Sequence, residues 1–213
     1  MALTELSVLS EREYCMSEFE PTALKEVVLV KPKRFGDNRG FFSETFKASW
    51  PLLADGFVFE QDNHAFSATP NTIRGLHFQF GPSTQAKLLR VVTGAILDVA
   101  VDVRRGSPTY GHVVAEELSA ENGHQLFVPH GFAHGYQTLM KDTHVLYKVD
   151  RLYDPQREGA VRWSDPDIKV PWAALDDAPA LSGKDEDAPT FADLDTPFVY
   201  DEHAPYNCQC LDR

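Results

Sequence analysis

No run of apolar residues in this chain approaches the ~20 needed to cross a bilayer. The N-terminal stretch MALTELSVLSEREYC carries acids where a secretion signal has a basic start and a long apolar core. Cysteine is scarce and odd in number: three in 213 residues, two of them in the CQC of Cys208 and Cys210. That supply excludes a disulfide framework and fits reduced thiols, so a cytoplasmic location is expected. CQC alone has too few ligands for zinc, and an exposed tail is the simpler expectation. Positive charge is also short. Lys and Arg number 20 against 32 Asp and Glu, a net −12, which argues against a nucleic-acid partner or a membrane-surface binder. A few local arginines can still hold an anionic small ligand. The sequence contains no G-x-S-x-G elbow, no G-x-x-x-x-G-K-[ST] loop and no G-x-G-x-x-G fingerprint. It also has no His-x-His pair, the spacing that metal-holding β-barrels commonly use. His130 and His134 stand four apart in HGFAH, but Pro129, Gly131 and Gly135 argue against a helix that would align them, so no metal site is expected.

What is present is β signal. The 43% hydrophobic content is enough for a real core in one domain. From about Thr22 to Tyr153, short apolar and β-branched segments follow one another between Gly, Asn, Pro and Asp punctuation. The clearest is KLLRVVTGAILDVAVDV, divided by Thr93 and Gly94 into two strands. In its second half Ala95, Leu97, Val99, Val101 and Val103 share one face, with Ile96, Asp98, Ala100 and Asp102 on the other. SWPLLADG reads as a short helix or a loop. Strands this closely spaced predict an all-β fold, a double-stranded β-helix jelly roll (a cupin-like barrel), with short peripheral helices and loops after Asp154. The expected division is a loose lead-in over residues 1–21, in which Met16 is an alternative start, the barrel over 22–189, and an irregular tail over 190–213.

Jelly rolls bind ligands between their sheets, so the ionisable residues that share an inward face matter most. In IRGLHFQ, His77 stands between Leu76 and Phe78, and alone it reads as a hydrogen-bonded core group. Its company changes that reading. Arg74 precedes it, and Lys87 follows across the GPSTQA loop, so two strands bring a base and a cation to one end of the barrel. His134 shares a face with Phe132 and Tyr136. Tyr147 and Tyr153 share a face if their strand runs that far, although a tyrosine on a strand is ordinarily core or rim.

These segments together resemble the dTDP-4-dehydrorhamnose 3,5-epimerase family. The matching stretches include FGDNRGFFSETF, QDNHAFS, IRGLHFQ, KLLRVVTGAILDVAVDVRRGSPTYG, LSAENGHQLFVPHGFAHGY, LYKVDRLYDP, VRWSDPDI and LSGKD, in family order from about Thr22 to Pro189. The resemblance implies a homodimeric barrel that uses no metal or organic cofactor. It implies inversion at C3 and C5 of dTDP-4-dehydro-6-deoxy-D-glucose to give dTDP-4-dehydro-L-rhamnose. Both carbons flank the C4 ketone, so the chemistry needs a base on one face, a group to stabilise the enolate, and an acid on the other face. By the resemblance, His77 is the base, Asp185 orients it, Lys87 stabilises the enolate and Tyr147 is the acid. Arg74 and Arg39 would hold the diphosphate. Phe35 and Tyr153 would contact the thymine or deoxyribose; Glu44, Gln61 and Asn63 would supply hydrogen bonds; His134 would line the sugar pocket. The plainer alternatives are a surface ion pair for Arg39 and Glu44 and a satisfied strand edge for Gln61 and Asn63. The chain departs from the family at His130, where Glu is common, and at Tyr136, where Phe is usual. Two rival functions stay open: a mono-epimerase acting at C3 or C5 only, and a non-catalytic jelly roll that binds nucleotide sugars.

Overall fold

The computed structural model describes residues 17–174 and 178–211; most of the expected lead-in, with Cys15 and Met16, lies outside them. The chain runs first through β1 (Ser17–Pro21), β2 (Val28–Pro32) and a small hairpin of β3 (Phe35–Asp37) and β4 (Gly40–Phe42). Next come β5 (Gln61–Ser67), β6 (Ile73–Gln79), β7 (Lys87–Thr93), β8 (Ala95–Asp102), β9 (Val113–Ser119), β10 (Gln125–Val128), β11 (Phe132–Thr138) and β12 (Thr143–Val149). The remainder holds β13 (Glu158–Ala160), a one-turn helix α1 (Gly183–Glu186), β14 (Phe198–Tyr200) and β15 (Cys208–Cys210).

Two antiparallel sheets carry the architecture, one ordered β1-β2-β10-β7-β12-β5 and the other β13-β6-β11-β8-β9. From β6 to β8, and again from β9 to β12, consecutive strands alternate between the sheets. That alternation wraps the chain as the expected jelly roll. Leu89, Leu126 and Val145 of the first sheet meet Ile96, Val114 and Phe132 of the second in the core between them. A second core lies behind β6, β8 and β11, around Leu76, Val99 and Val101. A third, around Val30, Leu88 and Phe127, lies behind the first sheet. β8 follows its sequence pattern: Val99 and Val101 enter the second core, whereas Ile96 and Ala100 enter the first. Burial on both faces explains why the strand is apolar almost throughout.

Two glycines are needed where they stand. Gly94 joins β7 to β8 at φ +81°, and a Cβ there would collide with the Thr143 side chain. Gly75, at φ +124°, lets β6 approach β11 so closely that a Cβ would lie 2.6 Å from Gly135 Cα.

Several expectations fail at the ends of the barrel. Ser17–Pro21 is not loose but pairs with β2 from Ser17 against Pro32 to Pro21 against Val28. SWPLLADG takes the loop of its two expected forms, a run of turns, and its Trp50 closes the third core at 4% exposure. β12 stops at Val149, so Tyr153 sits beyond the strand and is exposed. The chain turns there because the Asp150 carboxylate faces inward, accepting the Ala86 N–H at 2.7 Å and meeting His130 Nε2 at 2.9 Å.

The tail is ordered as well. β14 and β15 form a hairpin, and Phe198 enters the second core against Phe78, with ring centroids 5.5 Å apart. The cause is Arg104, whose side chain is wholly buried. It pairs with Asp102 at 2.8 Å and Glu26 at 3.1 Å, stacks on Phe132, and donates to the Tyr206 carbonyl at 2.9 Å. Cys208 and Cys210 are half-buried rather than exposed, and Cys210 Sγ accepts the Gly81 N–H at 3.1 Å. Burial pushes the Cys208 thiol up to about 12, so it stays protonated.

Candidate active site

A cleft of about 420 Å³ opens between the sheets on the β6, β7, β11 and β12 side, a size ordinary for small-molecule sites. His77, Lys87, His134, Tyr147, Arg74 and Asp185 all line it. Strand pairing explains how they meet. His77 of β6 stands opposite His134 of β11, Tyr147 of β12 stands opposite Leu89 of β7, and Lys87 opens β7 at the same end.

Asp185 arrives from α1. Ser182 caps that turn, and the Asp185 side chain reaches back to complete a capping box. Its Oδ2 accepts the Ser182 hydroxyl at 2.6 Å; its Oδ1 accepts the Gly75 N–H at 3.1 Å and lies 2.7 Å from His77 Nε2. Burial alone would raise this carboxyl, but the His77 ring 2.7 Å away and the bonds from Ser182 and Gly75 outweigh it and bring the pKa down to about 2. Asp185 is therefore ionised near neutral pH. A carboxylate beside Nε2 keeps a proton on that nitrogen, which leaves Nδ1 as the basic one. The His77 side chain is 28% exposed, enough to reach a ligand in the cleft.

Desolvation lowers Lys87 to about 8, against the raising influence of Asp98 and Glu158. It remains mostly an ammonium at neutral pH in a place where water screens little. Burial raises Tyr147, with the Arg74 charge opposing, so its phenol keeps its proton near neutrality. Burial pushes His134 down against the influence of Asp98, which holds its Nε2 at 2.8 Å. Arg74 donates to the Phe66 carbonyl at 3.0 Å and to Ser67 Oγ at 3.3 Å, fixing its cation at the mouth.

Six other expected site residues do not line the cleft: Phe35, Arg39, Glu44, Gln61, Asn63 and Tyr153. Phe35 and Arg39 belong to the exposed β3–β4 hairpin, and Arg39 pairs with Asp37 at 2.5 Å rather than with Glu44. Gln61 and Asn63 are on β5, the edge of its sheet, where Gln61 Nε2 donates to Asn63 Oδ1 at 2.8 Å. Asn63 and Tyr147 share a neighbouring cavity of about 310 Å³. Tyr153 joins a rim cluster. Its hydroxyl donates to Glu158 at 3.2 Å, as Lys184 does at 2.6 Å. Glu158, Lys184 and Asp98 were missed in the sequence. Asp98 left a signal, an acid amid the apolar residues of β8, as did the Ser-x-x-Asp spacing from Ser182 to Asp185.

What these groups can do together is move protons, with a cation ready for negative charge that develops between them. Fold and cleft thus define a cupin-like barrel whose cleft holds the side chains that acid–base chemistry needs. Residues 21–193 match the family model described as dTDP-4-dehydrorhamnose 3,5-epimerase. A dTDP-4-dehydrorhamnose 3,5-epimerase of Sinorhizobium fredii is 48% identical over 185 residues, covering 85% of this chain and 93% of that one. The crystal structure of a dTDP-6-deoxy-D-glucose-3,5-epimerase from Legionella pneumophila, in complex with dTDP-4-keto-L-rhamnose, matches with a TM-score of 0.79. That match has 39% identity and covers 84% of this chain and 95% of that one. A 3'-monoepimerase from Streptomyces bikiniensis in complex with dTDP-quinovose matches at a TM-score of 0.75 and 34% identity, over 81% of this chain and 87% of that one. The chain belongs to the dTDP-4-dehydrorhamnose 3,5-epimerase family.

Proposed function

We propose that this protein inverts C3 and C5 of dTDP-4-dehydro-6-deoxy-D-glucose, giving dTDP-4-dehydro-L-rhamnose. The observation that carries the reading is the His77–Asp185 contact of 2.7 Å in a cleft that Lys87 and Tyr147 also line. His77 Nδ1 removes the proton from a carbon beside the C4 ketone. The electron pair moves onto the ketone oxygen, where the Lys87 ammonium offsets the charge. Asp185 stabilises the imidazolium that forms. Tyr147 then gives a proton to the carbon from the opposite face, and solvent restores both groups. The same cycle at the second carbon completes the conversion.

Arg74 and His134 hold the diphosphate and the sugar. Phe35, Arg39 and Glu44 serve a site too, but in a second copy. Phe35 and Arg39 stand exposed on a hairpin outside the cleft of their own chain, which fits a cytoplasmic homodimer whose subunits exchange these groups. Gln61, Asn63 and Tyr153 bind the nucleotide at the rim.

Incubation with the substrate in D₂O tests the reading: label is expected at C3 and at C5, with the rhamno product visible by NMR. The resemblance to a 3'-monoepimerase supports a narrower second reading, in which one carbon alone is inverted. Label at one carbon would select it. Nucleotide binding without any label would leave a binding protein.

A further inference from the structure

Asp98 has no place in the mechanism above, yet it lies in the middle of β8 with no exposed surface. Its Oδ1 is 2.8 Å from His134 Nε2, while Oδ2 has no hydrogen-bond partner among the described residues. A buried carboxylate with one oxygen unmet is costly, so it calls for a reason. The reason lies in its neighbours. The face of β8 that carries Asp98 looks toward the cleft lined by His134 and Lys87. We propose that Asp98 is a positioning residue of the epimerisation: its carboxylate fixes the tautomer of His134 and provides the counter-charge that keeps Lys87 an ammonium within the barrel. This rests on the epimerase reading, because only there must Lys87 meet a ketone oxygen.

The other charges near Lys87 do not replace it. His77 and Arg74 on β6 are a base and a cation, His134 on β11 is held neutral by its burial, and the phenols Tyr136 and Tyr147 stay protonated. Glu158 on β13 does favour the ammonium, but it is already engaged by Lys184 at 2.6 Å and by Tyr153. Asp185 on α1 is engaged by His77 and Ser182, which leaves Asp98, its Oδ2 unpartnered among the described residues, as the carboxylate whose charge can serve Lys87. On the His134 side, a carboxylate at Nε2 keeps the proton there, so Nδ1 is a fixed acceptor for a sugar hydroxyl.

The test compares pH–rate profiles of the wild type and Asp98→Asn, from about pH 6 to about 10, on the dTDP-4-keto sugar. Loss of an adjacent opposite charge shifts such a group by roughly 1–2 units. The alkaline limb of kcat is therefore expected to fall by that much, with the larger rate loss above neutrality. In a Lys87→Arg background the cation cannot deprotonate, so the limb that Lys87 causes is expected to be absent whether or not Asp98 is replaced. Purely structural damage would lower the rate evenly at all pH values, and a limb that stays in place overturns the proposal. If Asp98→Asn does not give a folded protein by circular dichroism, Asp98→Ser, smaller and still polar, takes its place in the same comparison. A wild type that exchanges no label refutes the epimerase reading itself and the proposal with it. An active wild type with an unmoved limb refutes the proposal alone.

Discussion

Asp185→Asn removes a charge while keeping the size of the side chain, and the structure sets its cost. The Asp185 carboxyl lies at about 2 against an ordinary 3.8, and the side chain is 3% exposed. A displacement of nearly two pH units corresponds to roughly 2 kcal/mol of preference for the charged form, in which His77 is the leading favourable partner. If that preference is realised when His77 takes a proton, its loss slows the chemical step about 30-fold. An amide at this position can also donate to Nε2, which would place the His77 proton on the nitrogen meant to accept from substrate. Together the two effects predict a fall in kcat of roughly 10²–10⁴-fold. Binding of dTDP should change little, because no phosphate or base contact is assigned to Asp185. The fold should hold, at a cost of about 1–2 kcal/mol for the weakened cap and the Gly75 bond. The assay is the rate of deuterium entry at C3 and C5, read beside a thermal melt and a dTDP titration. A variant that exchanges within about threefold of wild type, with its melt unchanged, would refute the dyad. The depressed Asp185 carboxyl also sets a stability window. The folded-state pKa is depressed, so its contribution is full above about pH 4 and is lost as the pH falls from there through about 2.

Four further outcomes are expected. Tyr147→Phe keeps deuterium exchange but yields less inverted product; an unchanged product distribution by NMR would reject Tyr147 as the acid. Lys87→Met lowers kcat by roughly 10²–10³-fold. In the wild type, activity declines as the pH rises through about 8, the pKa of Lys87. The same depressed pKa means that the unfolded chain binds more protons between about 8 and 10.5, so stability from this group rises over the window in which activity falls. Opposite slopes in pH-dependent rate and melting curves check the sign. Arg104→Met leaves Asp102 buried without its cation, expected to cost about 3–5 kcal/mol. Limited proteolysis should then cut near residue 200 ahead of the barrel, and cutting at the wild-type rate would show that the tail is held by other means.

The barrel was legible in the sequence because its signals are local. Val99 and Val101 alternate with Ile96 and Ala100, and the two sets enter different cores as a period of two requires. His77, Lys87 and His134 could be grouped because their strands pair or face each other close to the positions their spacing suggests. The tail was not legible, because its anchor lies about a hundred residues earlier. Arg104 stands in VRRGSP, and nothing near it in sequence tells of the Tyr206 carbonyl. Whether the strand reaches Tyr153 was not legible for a similar reason: Asp150 ends it by reaching Ala86 and His130, and neither is a sequence neighbour. Phe35 and Arg39 were named by resemblance alone; among the described residues both stand exposed on the β3–β4 hairpin, with Arg39 paired to Asp37.

The placement of Phe198 bears on how the molecule is made. A nascent chain halted at residue 195 already has every strand of both large sheets. It nonetheless leaves Phe78 without its edge-on partner ring and the Arg104 guanidinium without the Tyr206 carbonyl. Closure of the rear core therefore waits until residues 198–210 have cleared the ribosome. Shortened or tagged C-termini should accordingly change the yield of soluble material before they change turnover per molecule.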